Sequence, residues 1–196
     1  MPECVIRATY SKRTVRVYQA YRPEIAVPAL AAGRLVPPFR MGRMTWLKPS
    51  FNWMMYRSAY ASKPGQEFVL GIEITRDGFE WALRHAALSS YRPVFHASHE
   101  DWKREVKAMP VRIQWDPERD WRLQPIAGTR AIQIGLSGKA IEHYVNEWIV
   151  GIENVTPIAR IAAAAAATGN APPALPSASE RPYPLDSVTA AAICTH

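Results

Sequence analysis

Gly42 to Ser58 is a run of seventeen residues that holds two Trp, three Met, a Phe, a Tyr and the cations Arg43, Lys48 and Arg57. A plain core segment has little use for that mixture. Flat rings offer stacking surface for a base, and cations interleaved with them offer charge to a phosphate, so the run suits a phosphate-bearing ligand: a dinucleotide or a nucleic acid strand. The elements carrying it can be read locally. Arg43 to Leu47 reads as a short strand, Pro49 stops it, and Ser50 is a good N-cap for a helix beginning at Phe51. Phe51, Met54, Met55 and Ser58 fall on one helical stripe and should be buried. Trp53 and Tyr56 lie off that stripe and are expected to line a cleft, with Lys48 and Ser50 at the strand-to-helix corner.

The rest of the chain alternates strand and helix patterns. Thr14 to Tyr18 reads as a strand, Pro23 opens a helix that Gly33 ends, and Pro28 should kink or split it. Phe68 to Ile74 is a second strand. Asp77 with Glu80 reads as a capping box for a helix burying Phe79, Ala82, Leu83 and Ala86, and Ser98 with Asp101 repeats the pattern. Strands at Val111–Trp115 and Ala131–Leu136 follow, then a turn at Ser137-Gly138 into a short helix, and a last strand over Glu147–Ile152. The expected fold is α+β: one mixed α/β domain over residues 1–160, with short helices. The Ala- and Pro-rich text of 161–196 reads as a disordered or partly helical tail.

Charge is uneven along the 196 residues. The first 63 carry eleven Lys/Arg against two Glu, while the other 133 carry thirteen cations against fifteen anions. Arg13, Arg16, Arg40 and Arg43 are the expected contacts for DNA or RNA, if a polynucleotide is the partner. No apolar stretch is long enough to cross a bilayer and no signal-peptide core follows Met1, which gives a cytoplasmic expectation and no membrane partner. Cys4 and Cys194 form no CxxC pair, so neither a disulfide framework nor a thiolate zinc site is supported.

Together with Val17-Tyr18-Gln19-Ala20-Tyr21, Lys63-Pro64-Gly65-Gln66-Glu67, Val111 to Arg119 and Ile132 to Gly138, the aromatic run strongly resembles the family catalogued as domain of unknown function number 4291, over roughly residues 3–160. Asn52 and Ala59-Tyr60 stand where its relatives carry a Leu and a Gly-Trp pair. The resemblance implies no activity.

The order of elements also resembles ADP-ribosyltransferases of the poly-ADP-ribose polymerase type. Gln19-Ala20-Tyr21 stands at the triplet that ends their first strand, Gly33 at the helix end, Lys48-Pro49-Ser50 at the polar turn, Tyr56 on the following helix, and Asn146-Glu147-Trp148-Ile149-Val150 at the late strand with the catalytic Glu. Gln19 replaces the usual His or Arg. This resemblance implies a split sheet, NAD as substrate, Glu147 and Tyr56 as catalytic residues, and Gln19, Tyr21, Arg43, Trp46, Lys48, Ser50, Trp53 and Arg57 around the NAD. Glu147 would stabilise the oxocarbenium-like cation left when nicotinamide departs, Tyr56, Trp53 or Trp46 would stack on nicotinamide, and Lys48, Arg43 or Arg57 would pair with the pyrophosphate.

Other patterns point to less. His96 and His99 lack an obvious third metal ligand, so no metal is expected. Gly135 to Lys139 reads as a turn rather than a phosphate loop. Asp116, Glu118 and Asp120 read as a salt-bridged loop. Two function classes follow: an NAD-dependent ADP-ribosyltransferase, with nucleic acid as a candidate acceptor, and a non-catalytic nucleotide or nucleic-acid binding module. Glu147 separates them, because a transferase needs that carboxylate in the Lys48 and Tyr56 cleft and a binder does not.

Overall fold

A strand largely buried on both faces runs through the middle of the chain's architecture, as the apolar text of Phe68 to Ile74, interrupted by Glu73, favours. The computed structural model describes residues 4–194. In chain order the elements are β1 (Arg7–Ala8), β2 (Thr14–Tyr21), α1 (Pro23–Ala32), β3 (Thr45–Leu47), α2 (Phe51–Ser58), β4 (Phe68–Thr75), α3 (Arg76–Arg84), β5 (Ala86–Leu88), α4 (His99–Ala108), β6 (Val111–Arg119), β7 (Pro125–Leu136) and α5 (Lys139–His143). A π-helical turn, Tyr144–Trp148, leads into β8 (Ile149–Asn154), and α6 (Thr156–Thr168), β9 (Arg181–Pro182) and α7 (Ser187–Ile193) complete the order.

β4 is the centre of an antiparallel sheet, β2-β4-β8, in which Gln19 pairs with Leu70 and Thr14 with Thr75. A second sheet, β3-β7-β6-β5, is antiparallel except for the parallel β5–β6 pair. The two sheets meet where Tyr18 and Lys48 exchange backbone hydrogen bonds, N–H of Tyr18 to Lys48 O at 2.7 Å and N–H of Lys48 to Tyr18 O at 3.2 Å. The fold is therefore a mixed α/β domain with its sheet split at the corner that holds Lys48. The core fills with Val15, Val17, Leu47, Leu70, Ile72, Ile74, Phe79, Ile113, Ile134 and Tyr144.

α2 forms as its text requires. The Ser50 hydroxyl accepts the Trp53 N–H at 3.1 Å, and Phe51, Met54, Met55 and Ser58 are all buried. α1 begins at Pro23 and ends on Gly33 in the left-handed region, φ 65°. Pro28 lies inside it without splitting it, since one missing N–H removes a single rung of the helical ladder. α3 departs from the expected cap. The hydroxyl of Thr75, not Asp77, accepts the Gly78 N–H at 3.2 Å, and Glu80 instead takes Arg76 at 3.0 Å and the Tyr183 hydroxyl at 2.7 Å.

The described residues after 160 carry helix, strand and buried side chains where a disordered or partly helical tail was expected. Ala159, Ala162 and Ala165 bury the small face of α6. β9 pairs with β1, Tyr183 is 4% exposed, and the Trp115 indole donates to Ile193 O at 2.6 Å. The scattered apolar residues of this Pro-rich text, Leu175, Tyr183 and Ile193, each find a core position. This also brings the cysteines together, with the Cys194 thiol donating to Cys4 O at 3.2 Å.

α2 ends on three successive non-glycine residues at positive φ: Ala59 at 48°, Tyr60 at 54° and Ala61 at 64°. Left-handed backbone costs an L-residue about 1–2 kcal/mol, and glycine avoids that cost while losing more freedom on folding. Ala59→Gly should therefore stabilise the domain by about 0.5–1 kcal/mol in urea unfolding. A loss of stability would mean that the Ala59 methyl contributes packing its exposure does not show.

Candidate functional site

The corner between the two sheets opens into a cleft. One part, about 360 Å³, is lined by Gln19, Tyr21, Arg43, Trp46, Lys48, Arg57 and Gln66 among others. A neighbouring part, about 400 Å³, is lined by residues that include Tyr21, Arg22, Phe39, Arg40, Arg43 and Thr45. Tyr21, Arg43, Met44 and Thr45 border both. Arg22, Arg40, Arg43, Lys48 and Arg57 thus give one continuous cleft five cations, and no Asp or Glu lines either part.

The floor is built by β2 and β3. Gln19 is 3% exposed and both ends of its amide are used: Nε2 donates to Thr45 Oγ1 at 2.6 Å, and Oε1 accepts the Tyr144 hydroxyl at 2.7 Å. Tyr21 and Thr45 share a hydroxyl contact of 3.2 Å. Burial raises the Tyr21 and Tyr144 phenols above their ordinary range, which keeps both neutral. Gln19 therefore fixes the floor of the cleft instead of reaching out to a ribose.

Lys48 is the least ordinary group here. It is 7% exposed, and its Nζ donates to Trp46 O at 3.2 Å. Among the described residues it has no carboxylate within ion-pair reach. Burial first, then the positive charge of Arg57, lower its pKa to about 7 against a weaker opposing pull from Asp116.

Several expected site residues are not brought to this cleft. Tyr56 and Trp53 stack on each other at 4.9 Å, and Arg119 covers them, 3.9 Å from the Tyr56 ring centre. Their faces are thus engaged on the β6 side and do not line the Lys48 corner. Ser50 is buried and turned inward, donating to Glu118 Oε1 at 2.9 Å. Glu147 is on the π-helical turn, two residues before β8 begins, because the helix begun at Lys139 widens and continues where a strand was expected. Its carboxylate meets His143 Nδ1 at 2.7 Å, and it lines a different pocket with Asp77, Trp81 and Trp148. Register explains the separation: β8 begins opposite Ile74, at the Thr14 end of β2, whereas the cleft lies at the Gln19–Tyr21 end.

The cation cluster divides in the same way. Arg40 and Arg43 line the cleft. Arg13 precedes β2 at its far end, and Arg16 is bound to Glu73 at 2.6 Å and Glu153 at 2.8 Å. The acidic cluster is hydrogen-bonded rather than salt-bridged: Asp116 accepts from Gln114 and Gln133, and Asp120 from the Arg122 and Gln124 N–H groups.

A family described as Domain of unknown function (DUF4291) matches residues 5–183. The chain belongs to that family. The match runs past 160 to Tyr183, the residue whose ring the core receives. No curated protein and no solved structure matches the chain.

Beside the cleft corner of this DUF4291 domain, sequence reasoning missed Glu180 and placed Glu118 in a salt-bridged loop, whereas Glu118 is buried against Ser50. Glu180, on the segment after α6, accepts the Phe51 N–H at 2.7 Å at the start of α2. Glu118 lies close enough that its charge raises the Glu180 pKa further, after burial itself, to about 8, with the Phe51 N–H and Arg7 opposing. Burial likewise raises Glu118, against the Arg119 N–H and the Ser50 hydroxyl. No local pattern marks Glu180, which is reached only when the chain returns.

Proposed function

We propose that the Lys48 cleft binds a phosphate-bearing nucleotide, and that the domain is a nucleotide-binding module rather than an ADP-ribosyltransferase using Glu147. The observation that carries this reading is a concave site of nucleotide size with five cations, aromatic walls from Tyr21, Phe39 and Trp46, and no lining carboxylate. Phosphate would be paired by Arg43 and Arg57, whose guanidinium forks suit its geometry. The transferase chemistry needs a carboxylate beside the ribose, and Glu147 lines the other pocket. A long polynucleotide track is less favoured, because the charge of Arg16 is already neutralised by Glu73 and Glu153. The partner that fits is a mononucleotide or dinucleotide, NAD included.

Calorimetric titration with ATP, NAD and ADP-ribose at low ionic strength tests this. Binding should weaken with added salt. Replacing Arg43 and Arg57 together with Glu should weaken it by roughly 100-fold or more, as each charged hydrogen bond contributes about 1.5–3 kcal/mol. Glu147→Gln should bind as wild type does and should leave any slow nicotinamide release unchanged. Affinity insensitive to the double reversal would refute the cleft, and loss of nicotinamide release in Glu147→Gln would restore the transferase.

A further inference from the structure

Lys48 is placed where a structural ammonium gains little. An ammonium has three N–H donors, and among the described residues it finds one hydrogen-bond acceptor, the Trp46 carbonyl, which also takes the Gln19 amide at 3.3 Å. The charge that acts on Lys48 most is another cation, Arg57, with a weaker opposing pull from Asp116. A buried charge without an ion-paired carboxylate is expensive. The amine is held firmly even so. Its backbone is pinned by two hydrogen bonds to Tyr18 at the junction of the sheets, with Pro49 buried behind it and Ser50 capping α2. Lys48 lines the cleft together with Arg43 and Arg57. A desolvated lysine next to a second cation is the arrangement that frees an amine lone pair for nucleophilic attack.

We propose that Lys48 is a nucleophilic amine that condenses with the carbonyl group of a phosphate-bearing sugar held in the cleft, forming an imine. The proposal rests on the phosphate-binding reading of the cleft. The Nζ lone pair adds to the carbonyl carbon, and one nitrogen-bound proton passes through solvent to the oxygen, giving a carbinolamine. The C–O bond then breaks, the oxygen leaves as water with the second nitrogen-bound proton, and C=N forms. Nothing is oxidised or reduced, so no further reactant is needed. Ring-opened aldose phosphates, and the free ribose end of ADP-ribose, have the required aldehyde and phosphate on one molecule.

The full chain would be incubated near pH 7.5 with ribose 5-phosphate, ADP-ribose or plain ribose, each trapped with cyanoborohydride, and the modified lysines mapped by peptide mass spectrometry. At that pH an amine titrating near 7 is mostly neutral, while an ordinary lysine is neutral only to about 0.1%. Some of this advantage is lost to lower basicity. Lys48 should still be modified roughly 10- to 100-fold faster than Lys12, Lys63, Lys103, Lys107 or Lys139. The rate should rise with pH and level off above about 7 for Lys48, while it goes on climbing for the others. Lys48→Arg keeps the cation and Lys48→Met keeps the packing, and neither should be trapped at position 48 although both still unfold in one cooperative transition. Even labelling across all six lysines, with ATP still binding, would overturn the imine and leave the cleft intact. Fast labelling of Lys48 by plain ribose and ribose 5-phosphate alike would overturn both this proposal and the phosphate reading beneath it.

Discussion

Gly78→Ala should destabilise the domain by about 1–3 kcal/mol, although alanine is otherwise the better helix former by about 1 kcal/mol. Gly78 is buried in the first turn of α3, and a Cβ there would lie 2.6 Å from Cδ1 and 2.7 Å from Cδ2 of the Trp148 ring. That ring cannot easily yield. Trp148 is 6% exposed and packs against Trp81 at 5.5 Å and Tyr144 at 6.5 Å. The displacement would travel along the π-helical turn to Tyr144, whose hydroxyl holds the Gln19 amide under the cleft. Urea unfolding should therefore show the loss of stability, and nucleotide affinity should fall with it. Pairing Gly78→Ala with Trp148→Leu should recover part of the stability, since the smaller side chain removes the overlap; strictly additive losses would show that the overlap is not the cause.

Local pattern was enough for α2 because one face of one short helix decides it: Phe51, Met54, Met55 and Ser58 are buried, and Ser50 caps the first turn. The same text identified the residues of the cleft corner, Lys48, Trp46, Arg43 and Arg57. What it could not supply was which end of each strand faces which other. Glu147 was judged by its neighbours in sequence, but the antiparallel register of β8 on β4 puts the start of that strand at the end of the sheet away from Gln19. Glu118 was hidden by a register irregularity. Val111, Ile113 and Trp115 point inward with period two, which would put Pro117 inside; the shift between Pro117 and Arg119 turns Glu118 inward instead. Tyr56 did fall off the buried stripe and is 41% exposed, but Trp53 is buried at 4% exposure, and Arg119, a residue far along the chain, lies over both rings. Each of these outcomes depends on pairing between distant segments, which periodicity within one segment does not contain.

The stability of the protein should pass through a shallow minimum near pH 7–8, where many proteins are close to their maximum. Two groups near the start of α2, the buried Lys48 and the half-buried Glu180, have opposite signs. Glu180 has its folded pKa raised from 4.5 to about 8, so between those values the folded state holds a proton that the unfolded chain has released. Its contribution to stability is full below about pH 4.5, falls as pH rises, and is lost above about 8. Lys48 has its folded pKa lowered from 10.5 to about 7, so between those values the unfolded chain holds the extra proton. The burial penalty of Lys48 is greatest below pH 7 and is relieved as pH rises towards 10.5. The falling limb of one meets the rising limb of the other, each on the order of a few kcal/mol. Melting curves recorded from pH 5 to 10 should show both limbs in the wild type. Glu180→Gln, whose amide oxygen can still accept the Phe51 N–H, should flatten the acidic limb and raise Tm most at pH 8. Lys48→Met should flatten the alkaline limb and raise Tm most at pH 6. A pH profile unchanged by Glu180→Gln would mean that the carboxyl ionises freely in the folded state. The contact of Glu180 with α2 would then be an ordinary charged cap, open to water.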